Sequence, residues 1–152
     1  MLLRWLFAAL HLLALGIGMG AVWSRGRALH QPLDAAGLKR VFYADNWWGI
    51  AALLWIATGL VRAFGGLEKG TSYYVHNGVF LTKMVLFGLM FILEVRPMMT
   101  LIKWRGRSAR GEAIDTASAP TFALISYLQT GLIGLMVLAA TAMARGYGAL
   151  SP

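Results

Sequence analysis

Residues 2–23 read LLRWLFAALHLLALGIGMGAVW, an apolar run whose one formal charge, Arg4, stands near its start. About 20 such residues are enough to cross some 30 Å of hydrocarbon as a helix. Lipid offers no partner to backbone N–H and C=O groups, so a crossing run satisfies them within itself as a helix. Three more stretches meet the same test. They are 47–64 (WWGIAALLWIATGLVRAF), 73–95 (YYVHNGVFLTKMVLFGLMFILEV) and 121–144 (TFALISYLQTGLIGLMVLAATAMA). None alternates as a barrel strand does. The expected fold is all-α, a polytopic integral membrane four-helix bundle forming a single transmembrane domain over 1–152. The first run is longer than a signal-peptide core, and Trp23-Ser24-Arg25 is a poor cleavage site, so it is expected to stay as a helix.

Composition agrees. Hydrophobic residues make up 59% of the 152 and charged residues 13%, with mean hydropathy +0.64, outside the range of water-soluble enzymes. The net charge of +8 does not indicate nucleic acid, because the basic residues stand in short clusters between apolar runs. Cysteine is absent, which removes disulfides, thiolate metal sites and cysteine nucleophiles. No phosphate loop, zinc helix or nucleophile elbow occurs.

The first and third connections hold Arg25, Arg27, Lys39, Arg40, Lys103, Arg105, Arg107 and Arg110, against Arg4, Arg62, Lys69 and Arg145 on the other side. By the positive-inside rule the basic loops face the cytoplasm and both termini face outward, as in a bacterial inner membrane. In the first connection, Asp34 is placed to cap a short interfacial helix with Leu38, Val41 and Phe42 on its apolar face. Pro97 predicts a kink where the third helix runs into the interface. The stretch 105–119, rich in Gly and Ser, reads as the disordered connection.

Polar residues inside a span are the informative ones, because inserting them costs free energy. His11 lies roughly 14 Å into the first span and Lys83 about 15 Å into the third, on helices of one direction. The two therefore share a level. A charged lysine at mid-membrane costs on the order of 3 kcal/mol, so Lys83 should face the interior or an anionic partner. Against this stands a lysine that snorkels to a polar end. His76, Lys83, Met90 and Glu94 recur near one face of the third helix. His11 and His76 are the candidate metal or axial haem ligands; hydrogen bonding to a neighbouring helix and a headgroup-facing position are their plainer readings. Arg96 is suited to hold a carboxylate, while Glu94 pairing with Arg96 or with the basic first connection would explain both without function. Gly16 to Gly20 has the spacing of a close helix contact. Trp48, Trp55 and Arg62 share a face, and the eight scattered methionines read as core filling.

The pieces LHLLALGIGMGAVW, LKRVFYADNWWGIAALLWIATGL and HNGVFLTKMVLFGLMFILEVRPMM together resemble an uncharacterised family of predicted four-helix membrane proteins. That family is similar to the grouping that contains the CopD copper-resistance protein and the HemJ-type protoporphyrinogen oxidase. The resemblance runs from Leu2 to about Met143. In HemJ-like proteins an early-helix His and a later-helix Lys matter, and His11 and Lys83 match them by order and helix. The resemblance implies a haem b or porphyrin-binding membrane protein of the oxidoreductase kind, with the macrocycle between the first and third helices. His11 would then be the leading ligand, His76 a second one, and Lys83 a proton donor or propionate partner. The alternatives are a non-catalytic membrane subunit or homo-oligomer, and a small-molecule or copper permeation protein. In every case the partner is the lipid bilayer.

Overall fold

The computed structural model describes residues 1–66 and 76–148. Four helices fill them: α1 Leu2–Leu29, α2 Ala35–Phe64, α3 Gly78–Ala109 and α4 Ala119–Ala144. All four are long and apolar enough to cross a membrane, and the protein is a multi-pass membrane protein. With 28, 30, 32 and 26 residues, each is longer than the hydrocarbon layer requires, at about 1.5 Å per residue. The ends therefore project into the headgroups and beyond.

Local chemistry sets the boundaries. The Asp34 carboxylate accepts the Gly37 N–H at 2.7 Å and starts α2, and the Asn77 side chain accepts the Phe80 N–H at 3.0 Å and starts α3. Pro120 occupies the first turn of α4, where its missing N–H costs nothing. Gly37 is required by space, since a Cβ there would lie 2.0 Å from the Pro32 carbonyl oxygen.

At the basic-loop end two expectations change, and the extension of the third helix past Pro97 holds. The interfacial helix is not a separate element: residues 35–46 are the first turns of α2, because no Pro or Gly pair interrupts the run from Val41 into Trp47. The helix begun by the third run continues through Pro97 to Ala109; its expected start at Tyr73 lies outside the described residues. The 105–119 connection is not disordered. It shrinks to residues 110–118, where Arg110 pairs with Glu112, Asp115 caps the Ala117 N–H, and Ile114 packs on the core.

Around the bundle the order is α2, α1, α4, α3, with α1 diagonal to α3. α2 and α3 scarcely touch. Trp55 lies against Phe87 in a T-shaped contact, and Arg105 reaches Phe42 and Asp45. Inward residues recur at three- and four-residue steps, as in Ala14, Gly18, Val22, Arg25 and Leu29 on α1. Gly18 provides the tight α1–α2 approach: a Cβ there would stand 3.3 Å from the Trp48 ring and 3.4 Å from Ala51 Cβ. Gly16 and Gly20, the pair marked by their spacing, face outward with nothing within 4 Å.

Two apolar clusters result. One, at the basic-loop end, holds Leu29, Leu38, Val41, Leu101, Trp104 and Phe122; the other holds Ala14, Val22, Trp48, Trp55, Met90 and Ile133. On every helix a polar residue stands between the two.

Candidate functional site

Those polar residues form one network. The Arg25 side chain is 0% exposed. Its Nε donates to Ser126 Oγ at 3.1 Å. Nη1 donates to Asp45 Oδ1 at 2.8 Å and Glu94 Oε1 at 2.7 Å. Nη2 donates to Glu94 Oε2 at 2.8 Å and Gln129 Oε1 at 2.9 Å. All five guanidinium N–H groups are thus used. Gln129 Nε2 donates in turn to Glu94 Oε2 at 2.8 Å, and Arg105 Nη2 to Asp45 Oδ2 at 2.8 Å. Two guanidinium groups face two carboxylates, so the charges balance, and residues of all four helices meet at one level.

An arrangement this complete holds helices together and leaves no group to act on a ligand. Among the described residues no buried side-chain nitrogen or oxygen lacks a hydrogen-bond partner. Glu94 does pair with the basic first connection, through Arg25. Arg96 is exposed and takes no part. Sequence reading missed the network because Arg25 counted as a loop charge. The available signal was the stripe: Arg25 continues the inward series Ala14, Gly18, Val22.

The other polar group lies nearer the termini. His11 accepts the Trp55 indole N–H on Nε2 at 3.0 Å. That leaves the proton on Nδ1, which donates to Thr58 Oγ1 at 2.9 Å, and Thr58 donates to the Leu54 carbonyl at 2.7 Å. The imidazole is held by α2, not by α3, and Gly59 leaves the space for its ring.

No hydrogen bond joins Lys83 to His11, and α1 and α3 stand diagonal to each other. Lys83 is half-buried, with Nζ 5.9 Å from the centre of the Phe80 ring. Among the described residues it has no hydrogen bond and no ion pair. His76 is exposed beside the α3 cap and is not among the partners of His11.

Below His11 a shallow apolar groove, without room to enclose even a water molecule, is lined by Ala14, Gly18, Trp48, Ala51, Trp55 and Ile133. α3 supplies no wall to it. Cavities that enclose a drug-sized ligand run to roughly 300–1,000 Å³, so the groove encloses no macrocycle. An axial ligand also needs a free nitrogen lone pair, and both His11 nitrogens are engaged. As arranged, these residues do not fit an iron at His11. Among the described residues no three His, Asp or Glu side chains come together as a metal site would require.

A family model described as a predicted membrane protein (DUF2214) matches residues 3–148. The chain belongs to that family. Comparison with curated proteins and with solved structures finds no match.

Proposed function

We propose that this DUF2214 protein binds an acidic amphiphile within the membrane, at the seam where α2 and α3 scarcely touch. The observation that carries the reading is Lys83, an amine inside a span with no acid beside it among the described residues. Lys83 stands five residues, about 8 Å, past the start of α3 at Gly78, and an uncompensated cation within the apolar part of a span calls for an anion. The anionic head would sit on Lys83 with Arg62 near it, and the apolar body would lie along Trp55 and the groove beneath, partly in lipid. Because the groove encloses no volume, such a ligand would keep much of its surface against acyl chains. A porphyrin dipropionate, free or as haem b, is the ligand that the likeness to HemJ-type proteins points to, and haem would bring one-electron chemistry. This chain's residues would hold the propionates; His11, engaged by Trp55 and Thr58, would orient Trp55 along the seam. By the positive-inside rule the basic loops lie in the cytoplasm and the seam's charged end lies in the outer half of a bacterial inner membrane.

The test is the absorption spectrum and the extracted small molecules of the detergent-purified protein, compared with Lys83→Met. The reading expects an acidic amphiphile that the variant loses, with reduced-minus-oxidised haem bands if the occupant is haem. Identical extracts from both proteins would sink it.

A second reading is a non-catalytic subunit or homo-oligomer. It is favoured by the outward Gly16, Gly20, Gly49 and Gly131, which leave open space on three helices. Crosslinking in native membranes, with Gly20→Leu as the control, separates it from the first.

A further inference from the structure

At the basic-loop end the acids are all spoken for. Asp34 caps Gly37, Asp45 and Glu94 belong to the Arg25 network, Glu112 pairs with Arg110, and Asp115 caps Ala117. Five of the six acidic residues of the chain are accounted for this way; the sixth, Glu68, lies outside the described residues. At the same end Arg27, Lys39, Arg40, Arg96 and Lys103 are exposed, and none has an ion pair or side-chain hydrogen bond among the described residues.

Two of these cations stand in an unusual setting. On α3 the outward side runs Ile92, Val95, Arg96, Met99, Ile102, Lys103, with every one of these side chains exposed. Arg96 and Lys103 are seven residues apart, about 10 Å along one side of the helix. Arg96 lies about 3 Å past the level of Glu94, and Met99 and Ile102 lie beyond Arg96. A cation bracketed by apolar side chains on the lipid-facing side is at home only at the boundary between acyl chains and headgroups. An occupant that satisfies both must carry an anion and an acyl tail in one molecule. A soluble acidic protein or a nucleic acid offers the anion without the tail.

We propose that the outward face of α3 between Ile92 and Lys103 is a binding site for an anionic phospholipid, its phosphate bridging Arg96 and Lys103 and its chains lying on Ile92, Val95 and Met99. It is independent of the Lys83 seam. The free cations of α1 and α2 at that end extend the positive field but lack the apolar bracketing, so they contribute attraction without a seat.

The test uses the full chain reconstituted in phosphatidylcholine bilayers, with spin-labelled phosphatidylglycerol and phosphatidylcholine of equal chain length as probes. The measured quantity is the ratio of their association with the protein at moderate salt. One basic residue near the surface favours an anionic lipid roughly five-fold, so the wild-type ratio is expected to exceed one severalfold. Arg96→Gln with Lys103→Gln should lower it toward one, whereas Arg96→Lys with Lys103→Arg should keep it. A wild-type ratio of one overturns the proposal without any variant. A ratio unchanged in the Gln pair, with helix content intact, overturns it as well, because the preference would then belong to the other cations.

Discussion

Replacing Arg25 by Gln is the perturbation whose cost the structure fixes best. The guanidinium is fully buried and gives hydrogen bonds to Asp45, Glu94, Ser126 and Gln129. Its loss leaves Glu94 with Gln129 alone, and Asp45 with Arg105 alone. Removing one partner of a buried ion pair costs about 3–5 kcal/mol, because the remaining charge stays desolvated and unpaired. Arg105 moderates the loss at Asp45 but cannot reach the whole network, so the lower half of that range, about 3 kcal/mol, is expected. A neutral interhelical hydrogen bond in a membrane protein averages only about 0.6 kcal/mol, so Gln129→Ala should cost much less than Arg25→Gln. The assay is reversible unfolding in mixed micelles with rising SDS, followed by far-UV circular dichroism. The cycle is completed with Glu94→Gln and the double variant Arg25→Gln/Glu94→Gln. The double variant should be less destabilised than the two single variants added together, since each single change strands the other charge. Arg25→Gln within about 0.5 kcal/mol of wild type, or strict additivity, would refute the view that this network holds the four helices together.

Glycine position separates packing from spacing: Gly18→Val should cost on the order of 1–3 kcal/mol by overpacking against Trp48 and Ala51, while Gly16→Ala and Gly20→Ala should be neutral or slightly stabilising in the same unfolding assay. Trp55→Phe keeps the ring and removes the N–H that occupies His11 Nε2; added haem should then give a shifted Soret band in the variant and none of that shift in wild type or in the Trp55→Phe/His11→Ala double variant. In the third connection, Arg110 and, more weakly, Arg107 hold the Glu112 carboxyl below the usual glutamate range. The pairing is therefore present above the ordinary glutamate pKa and lost as pH falls through the lowered one, and Arg110→Gln should move the Glu112 titration, followed by NMR, back upward.

The helices were legible because lipid leaves the backbone no alternative, and the described parts of all four apolar runs lie on helices except His76 and Asn77. Their lengths were less so. Val41 to Trp47 reads as an amphipathic surface segment, yet the same residues serve α2, with Val41, Ala44 and Trp48 turned inward. Hydropathy sees the average polarity of such a stretch and not which side it buries. His11, Lys83 and Trp55 stood out because a polar or ring nitrogen deep in a span has few places to go. Arg25 and Asp45 did not, because charge near a loop has an innocent explanation that only a partner on another helix removes. The diagonal placement of α1 and α3 depends on how the side-chain surfaces interlock, and no single helix carries that information.

The most direct test of the Lys83 seam is quenching of tryptophan fluorescence when protoporphyrin IX is titrated into the detergent-solubilised protein, with its dimethyl ester as the control that lacks the acids. Trp48 and Trp55 line the groove and should report the occupant. The diacid should saturate at a concentration at least about ten-fold lower than the ester, the gap expected of about 1.4 kcal/mol, and Lys83→Met should close it. Equal binding of acid and ester, or a gap that survives the loss of Lys83, would contradict the claim that this amine receives an anion inside the membrane.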